Sequence, residues 1–208
     1  DQALYHFVSY NAHSLEVFIN KQIYFSPLDS QNDPFEGLFK ISKIKGDQEN
    51  IKRFIINKCG PINPTEILPS ETGITMIKDI SFENPDFVHQ VIKKHIIKQI
   101  KSETGIFCFS KDPTNIPMWS HYSQHGKGFC IVFDKARLLT SIIPDINSDN
   151  FLLPEDIIYS NLSTIEVSCN EFGLFYDLKQ VLYKKIRDWQ TEKEYRLIMT
   201  RIFNDEDR

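Results

Sequence analysis

The sequence predicts an α+β fold: a single domain over residues 1–208, with a mixed or antiparallel sheet and a mostly helical insertion over residues 38–103. Three observations predict it. Apolar runs of strand length, rich in aromatic and β-branched residues, recur between Leu4 and Met199. Helical spacings fall between them without the regular alternation of a βαβ protein. The sequence holds no internal repeat that would signal a solenoid or propeller.

In chain order, Leu4-Tyr5-His6-Phe7-Val8 reads as a first strand, with Tyr5 and Phe7 opposite His6. Residues Ser14 to Asn20 read as a helix whose Leu15, Phe18 and Ile19 share an inward face. Gln22 to Ser26 is a second strand, and Pro27 opens a polar loop through Asn32-Asp33-Pro34-Phe35-Glu36-Gly37. Asp47 is placed to cap a helix to Lys58 that Gly60 closes. Residues 61–83, broken by Pro61, Pro64 and Pro69, read as an irregular connection. Asn84-Pro85 then opens a helix to Ser102, with Val88, Val91, Ile92, Ile96 and Ile100 inward.

The stretch from Gly105 to Asp134 organises the rest. It begins and ends as buried strands, Ile106-Phe107-Cys108-Phe109 and Gly128-Phe129-Cys130-Ile131-Val132-Phe133. Between them lie a polar turn from Ser110 to Asn115 and a short helix, Pro117-Met118-Trp119-Ser120-His121-Tyr122. Aromatic residues at such a mouth either wall a flat ligand or cap the sheet. Asp134 is placed to cap a short helix to Ile142, and residues 143–154 read as a loop. Strands are expected at 156–160 and 165–168. Asn170 is read as the cap of a long helix to Arg187, burying Phe172, Phe175, Leu178, Val181, Leu182 and Ile186. Tyr195 to Met199 is the last strand.

Bulk properties narrow the classes. Sixteen Phe and eight Tyr supply a substantial core. A net charge of −4 removes any global electrostatic case for nucleic-acid binding. The basic clusters Lys93, Lys94, Lys98, Lys101 and Lys179, Lys184, Lys185, Arg187 read as solvated helix faces. Cys59, Cys108, Cys130 and Cys169 form no C-x-x-C, so no zinc site is expected, and Cys108 and Cys130 read as core residues in a reducing cytosol. No apolar run reaches membrane-spanning length and no signal peptide is visible, so a cytoplasmic protein with no membrane partner is expected. Nothing in the sequence sets an oligomeric state.

Several polar constellations carry possible chemistry. His6, Ser110 and Glu194 each lie in or beside an apolar strand, but Ser110 lacks the G-x-S-x-G elbow of a serine hydrolase. Asn32, Asp33 and Glu36 put two carboxylates and an amide into five residues, suited to a hard cation, to acid–base work, or simply to clamping a turn. Glu192 and Glu194, two apart on an extended segment, point to the same side and can share a cleft or lie on the surface. His121 and His125 have helical metal-ligand spacing, but Gly126 and Gly128 end the helix early, so no metal is expected there.

Asn32-Asp33-Pro34-Phe35-Glu36, Cys108-Phe109-Ser110, Met118-Trp119-Ser120-His121-Tyr122, Gly128-Phe129 and Trp189 with Glu194-Tyr195-Arg196 together resemble the bacterial domain-of-unknown-function family 2971. More distantly, the chain resembles ADP-ribosyltransferases of the DarT type. The Tyr5-His6 strand, the Phe107-Cys108-Phe109 strand before Pro117-Met118-Trp119, and Glu192 and Glu194 at a late strand start carry that likeness. Asn115-Ile116 stand where the DarT type has a basic residue. The resemblance implies an ADP-ribosyltransferase-like fold and NAD as substrate. It also implies transfer of ADP-ribose to an acceptor macromolecule, nucleic acid or protein, as in a toxin or phage-defence effector. It assigns Glu194, His6 and Glu192 to catalysis. Tyr5, Phe109, Ser110, Met118, Trp119 and Tyr122 would hold NAD, and Asn32, Asp33 and Glu36 would meet the acceptor. Two other expectations remain: a non-catalytic nucleotide- or nucleic-acid-binding sensor, and a metal-assisted hydrolase using Asp33 and Glu36.

Overall fold

The computed structural model describes residues 3–33, 36–59, 85–146 and 151–200. The expected connection over 61–83, the Gly60 stop, the Asn84 cap and Pro34-Phe35 lie outside the described residues. The fold is α+β. The chain divides into two compact units.

The first unit takes residues 1–37, 100–161 and 183–207. Its main sheet contains β1 (Ala3–Val8), β2 (Ser26–Pro27), β4 (Thr104–Ser110), β5 (Phe129–Asp134), β6 (Phe151–Asp156) and β11 (Glu194–Thr200), and every pairing in it is antiparallel. The spatial order is β5-β1-β4-β11-β6, with β2 also on β4. The central strands β4 and β11 are buried at nearly every position, which is why both read as continuous apolar runs. Leu4, Phe107, Phe109, Tyr195 and Leu197 pack with Leu138 and Ile142 of a helix, Lys135–Ile146. Asp134 caps that helix, accepting from the Arg137 amide at 2.9 Å. The helix runs past Ile142, and β6 begins at Phe151, so much of the expected loop at 143–154 is regular structure.

One irregularity shapes this sheet. β1 meets β4 only at Tyr5 and Ser110, while β2 takes the same edge of β4 at Ile106 and Gly105. Between these two points the edge of β4 has no strand partner among the described residues. Its Cys108 carbonyl is satisfied instead by the His6 ring, 2.8 Å from Nδ1. The short strand at 22–26 is reduced to Ser26–Pro27.

The first helix, α1 (Ala12–Ile19), opens with a capping box between Asn11 and Ser14. Its predicted face is corrected. Phe18 and Ile19 are exposed, and the helix turns Ser14 inward, where its hydroxyl donates to the Ser9 carbonyl. A second small sheet pairs β7 (Ile158–Ser160) with β10 (Lys184–Ile186) in parallel.

The second unit takes residues 38–99 and 162–182. A three-stranded mixed sheet joins β3 (Phe39–Lys45), β8 (Ser163–Asn170) and β9 (Gly173–Tyr176). The unit also holds α2 (Gln48–Lys58), capped by Asp47 as expected, and most of α3 (Pro85–Glu103). The segment 38–103 thus contains a strand besides its helices. The predicted helix from Asn170 to Arg187 does not form. Asn170 ends β8, and its side chain accepts from the Phe172 and Gly173 amides in a turn. Gly173 has φ +143°, outside helical space, and only Lys179–Leu182 is α-helical.

Between a further helix, α4 (Ile116–Tyr122), and β5, the chain must pass close to β1. A Cβ at Gly128 would overlap the Val8 carbonyl oxygen and lie 2.9 Å from the Ser123 Cβ. Gly128→Ala is therefore expected to cost about 1–3 kcal/mol, read from urea unfolding. A cost below about 0.5 kcal/mol would show that β1 moves aside freely.

Candidate functional site

The opening where β1 leaves β4 becomes a cavity of about 310 Å³. Its walls come from β1, α1, Tyr24, Ser26, Gln31, β4, α4 and the start of β11. This lies at the low end of the size of small-molecule sites and suits a ring with a sugar.

His6 forms one wall. Its ring stacks on Phe107 at 4.1 Å. A carbonyl oxygen only accepts, so Nδ1 must carry the hydrogen donated to Cys108. Burial lowers the imidazole pKa to about 4, against the opposing pull of that bond. The ring is thus neutral at pH 7, and Nε2 is a lone-pair acceptor with no partner among the described residues.

The opposite wall is built where a 3-10 helix, Arg187–Glu192, gives way to β11. Between Glu192 and Glu194, Lys193 adopts the left-handed conformation at φ 49° and is exposed, its ammonium on Asp112 at 2.8 Å. Both flanking glutamates turn inward and are 3 % exposed. The expected same-side pair therefore exists, but through a left-handed residue rather than an extended run. Ser110, fully buried, donates to the Glu192 carbonyl at 2.7 Å. Asn115 caps α4 through the Met118 amide and bonds the Thr191 carbonyl, tying that helix to the 3-10 turn.

Two cations hold the carboxylates. Lys185 Nζ lies 2.7 Å from Glu192 and 3.2 Å from Glu194. Arg196 Nε donates to Glu194 at 2.7 Å, while its two terminal nitrogens grip Glu36 at 2.8 and 3.2 Å. Burial alone would raise the Glu194 pKa, but Arg196 and Lys185 outweigh it and hold the carboxyl well below its usual range. Burial would likewise lower Lys185, and the two glutamates reverse that, raising it. The Tyr122 hydroxyl has two acceptors for its one proton, Glu192 Oε1 at 2.7 Å and Asn32 Oδ1 at 2.9 Å. Burial, then the Glu192 charge, pushes the Tyr122 phenol up. The Cys108 thiol, raised by burial and by Glu194, stays protonated and is no nucleophile.

The structure therefore gathers His6, Met118, Tyr122, Glu192 and Glu194 around one cavity. Asn32 and Glu36 join through Tyr122 and Arg196. Other predicted placements are corrected. Phe109 is fully buried in the core beside Tyr195, and Ser110 positions Glu192 from behind. Tyr5 stands opposite Ser110 in the sheet, outside the cavity wall. Trp119 packs edge-on against Phe7 and donates to the Pro113 carbonyl. Asp33 is buried, and the Glu36 side chain is 2 % exposed, so neither lies on an open rim. Among the described residues, no group of three or more His, Cys, Asp or Glu is arranged to hold a metal ion. No helix among them is long and apolar enough to cross a membrane.

Sequence reasoning missed Lys185, Arg196 and Tyr159. Lys185, read as part of a solvated helix face, is 7 % exposed. A lone Arg inside the apolar strand Tyr195 to Met199 was the signal for a buried ion pair. Tyr159 accepts from the Glu194 amide at 2.7 Å, fixing the start of β11. No curated protein and no solved structure matches the chain. Residues 118–197, from the Met118 helix through the buried cations and carboxylates to Leu197, match the family model described as Protein of unknown function (DUF2971), so the resemblance to family 2971 holds over that stretch.

Proposed function

We propose that the chain is an NAD-dependent ADP-ribosyltransferase-like enzyme acting on a nucleic acid or protein acceptor. One observation carries this reading. A neutral histidine from the first strand and two buried glutamates, Glu192 at the end of the 3-10 helix and Glu194 at the start of the last strand, border a single nucleoside-sized cavity. In the reaction, the bond between the ribose C1′ and the nicotinamide nitrogen breaks, and the electron pair leaves with nicotinamide. The ribosyl cation is then captured by an acceptor oxygen or nitrogen that gives up a proton. Carboxylates beside C1′ stabilise the developing positive charge. Glu192 suits this best, because among the described residues its Oε1 meets only the neutral Tyr122 hydroxyl. The His6 acceptor nitrogen can take a ligand hydroxyl or amide N–H.

Nicotinamide release from labelled NAD is the measurement. Wild type is expected to turn over, with Glu192→Gln slower by roughly 10²–10³-fold while keeping its fold by circular dichroism. Absence of NAD binding by calorimetry would sink the proposal. One geometric fact favours the sensor reading instead: both Glu194 oxygens are already engaged, by Arg196 and by Lys185. NAD binding without turnover, unaltered by excess acceptor, is the result that reading expects. The hydrolase reading is weakened because Arg196 grips both oxygens of Glu36.

A further inference from the structure

The cavity's charge is unbalanced. Its ionic cluster holds three carboxylates, Glu36, Glu192 and Glu194, against two cations, Lys185 and Arg196. Neither cation reaches the wall. Among the described residues lining the cavity there is no Lys or Arg, while Glu192 and Glu194 both line it. The neutral wall groups point the same way. His6 offers Nε2 as an acceptor with no partner among the described residues, and the His6 and Tyr122 rings line the cavity, one face of His6 being covered by Phe107. A phosphate or carboxylate entering here would meet two glutamates and no cation among the described lining residues, with neutral donors such as Ser9, Ser26 and Gln31 in place of a counter-charge. A planar cation would meet opposite charge and aromatic faces.

We propose that this cavity selects a flat, monocationic heteroaromatic group bearing hydrogen-bond donors, and that it excludes anionic groups. If the ligand is a dinucleotide, its diphosphate stays outside. The inference rests on the cavity of the proposed enzyme but not on its transfer chemistry.

Calorimetry on the wild-type protein with three ring probes tests it. The probes are 1-methylnicotinamide, a cation; its uncharged 1,4-dihydro form; and N-methylnicotinate, a zwitterion with a carboxylate in place of the carboxamide on the same ring. The cation is expected to bind roughly tenfold or more tightly than either other probe. Glu192→Gln is expected to cut that preference at least about threefold. Equal affinity for the cation and the dihydro form overturns the proposal, as does tighter binding of N-methylnicotinate or no binding of the cation. Cation preference without NAD turnover leaves this inference standing and removes the transferase reading. NAD turnover without cation preference does the reverse.

Discussion

Arg196→Met should lose about 3–5 kcal/mol of folding stability at pH 7, the largest single-residue effect expected in the first unit. Arg196 is fully buried and is shared by two carboxylates, Glu36 and Glu194. Met fills much of the volume, so the loss is chiefly electrostatic: two buried anions lose their nearest counter-charge. The pH dependence separates this from a packing defect. In the wild type the Glu194 pKa is depressed, so its contribution is present above the unfolded carboxyl value near ~4.3. It fades as the pH falls through the lower folded value, and wild type becomes less stable in acid. In the variant, Glu194 keeps Lys185 but loses Arg196, the larger of its two counter-charges, so burial counts for more and its carboxyl binds a proton more readily in the folded state. The stability gap should therefore narrow as the pH drops from 7 toward 4. Urea unfolding at several pH values reads both effects. A gap that is constant with pH would mean that Arg196 acts through shape alone.

The parts of this structure that were legible in the sequence are those where one signal acts alone. The apolar runs of β4 and β5 and the caps at Asp47 and Asp134 rest on spacing and local chemistry, and neighbouring chain does not override them. Misreadings arose where two periodicities fit one stretch. Phe172, Phe175, Leu178 and Val181 keep helical spacing, yet they belong to a turn, a strand and a short helix, because the Asn170 side chain and Gly173 impose a reversal. Likewise, α1 has an apolar stripe, but its Phe18 rests against Phe129 on the surface while Ser14 faces inward. The two cations of the ionic cluster were missed for a different reason. A lysine or arginine is read as solvated by default. Only the fold brings Lys185 and Arg196 against the glutamates, and Glu36 is 160 residues from its partner.

Lys185→Met should show that Lys185 sets the charge state of the paired glutamates. Its ammonium bridges Glu192 and Glu194, and its far side lies against the Trp189 ring, 4.9 Å from the centroid. Because its pKa is raised, its stabilisation is complete below the unfolded lysine value near ~10.4. It is lost only as the pH rises through the higher folded value, so at pH 7 the full contribution is removed by the substitution. The cluster then holds three carboxylates against one guanidinium. Two close carboxylates without a bridge cannot both stay ionised cheaply, so one is expected to take up a proton near neutral pH. A loss of about 2–4 kcal/mol at pH 7 is expected, shrinking in acid. The decisive comparison is the double variant Lys185→Met/Glu192→Gln. It removes one charge of each sign and should recover at least about half of the single-variant loss. Were the lysine only filling space behind Trp189, adding Glu192→Gln would deepen the loss, because the Tyr122 hydroxyl would lose its ionised acceptor as well.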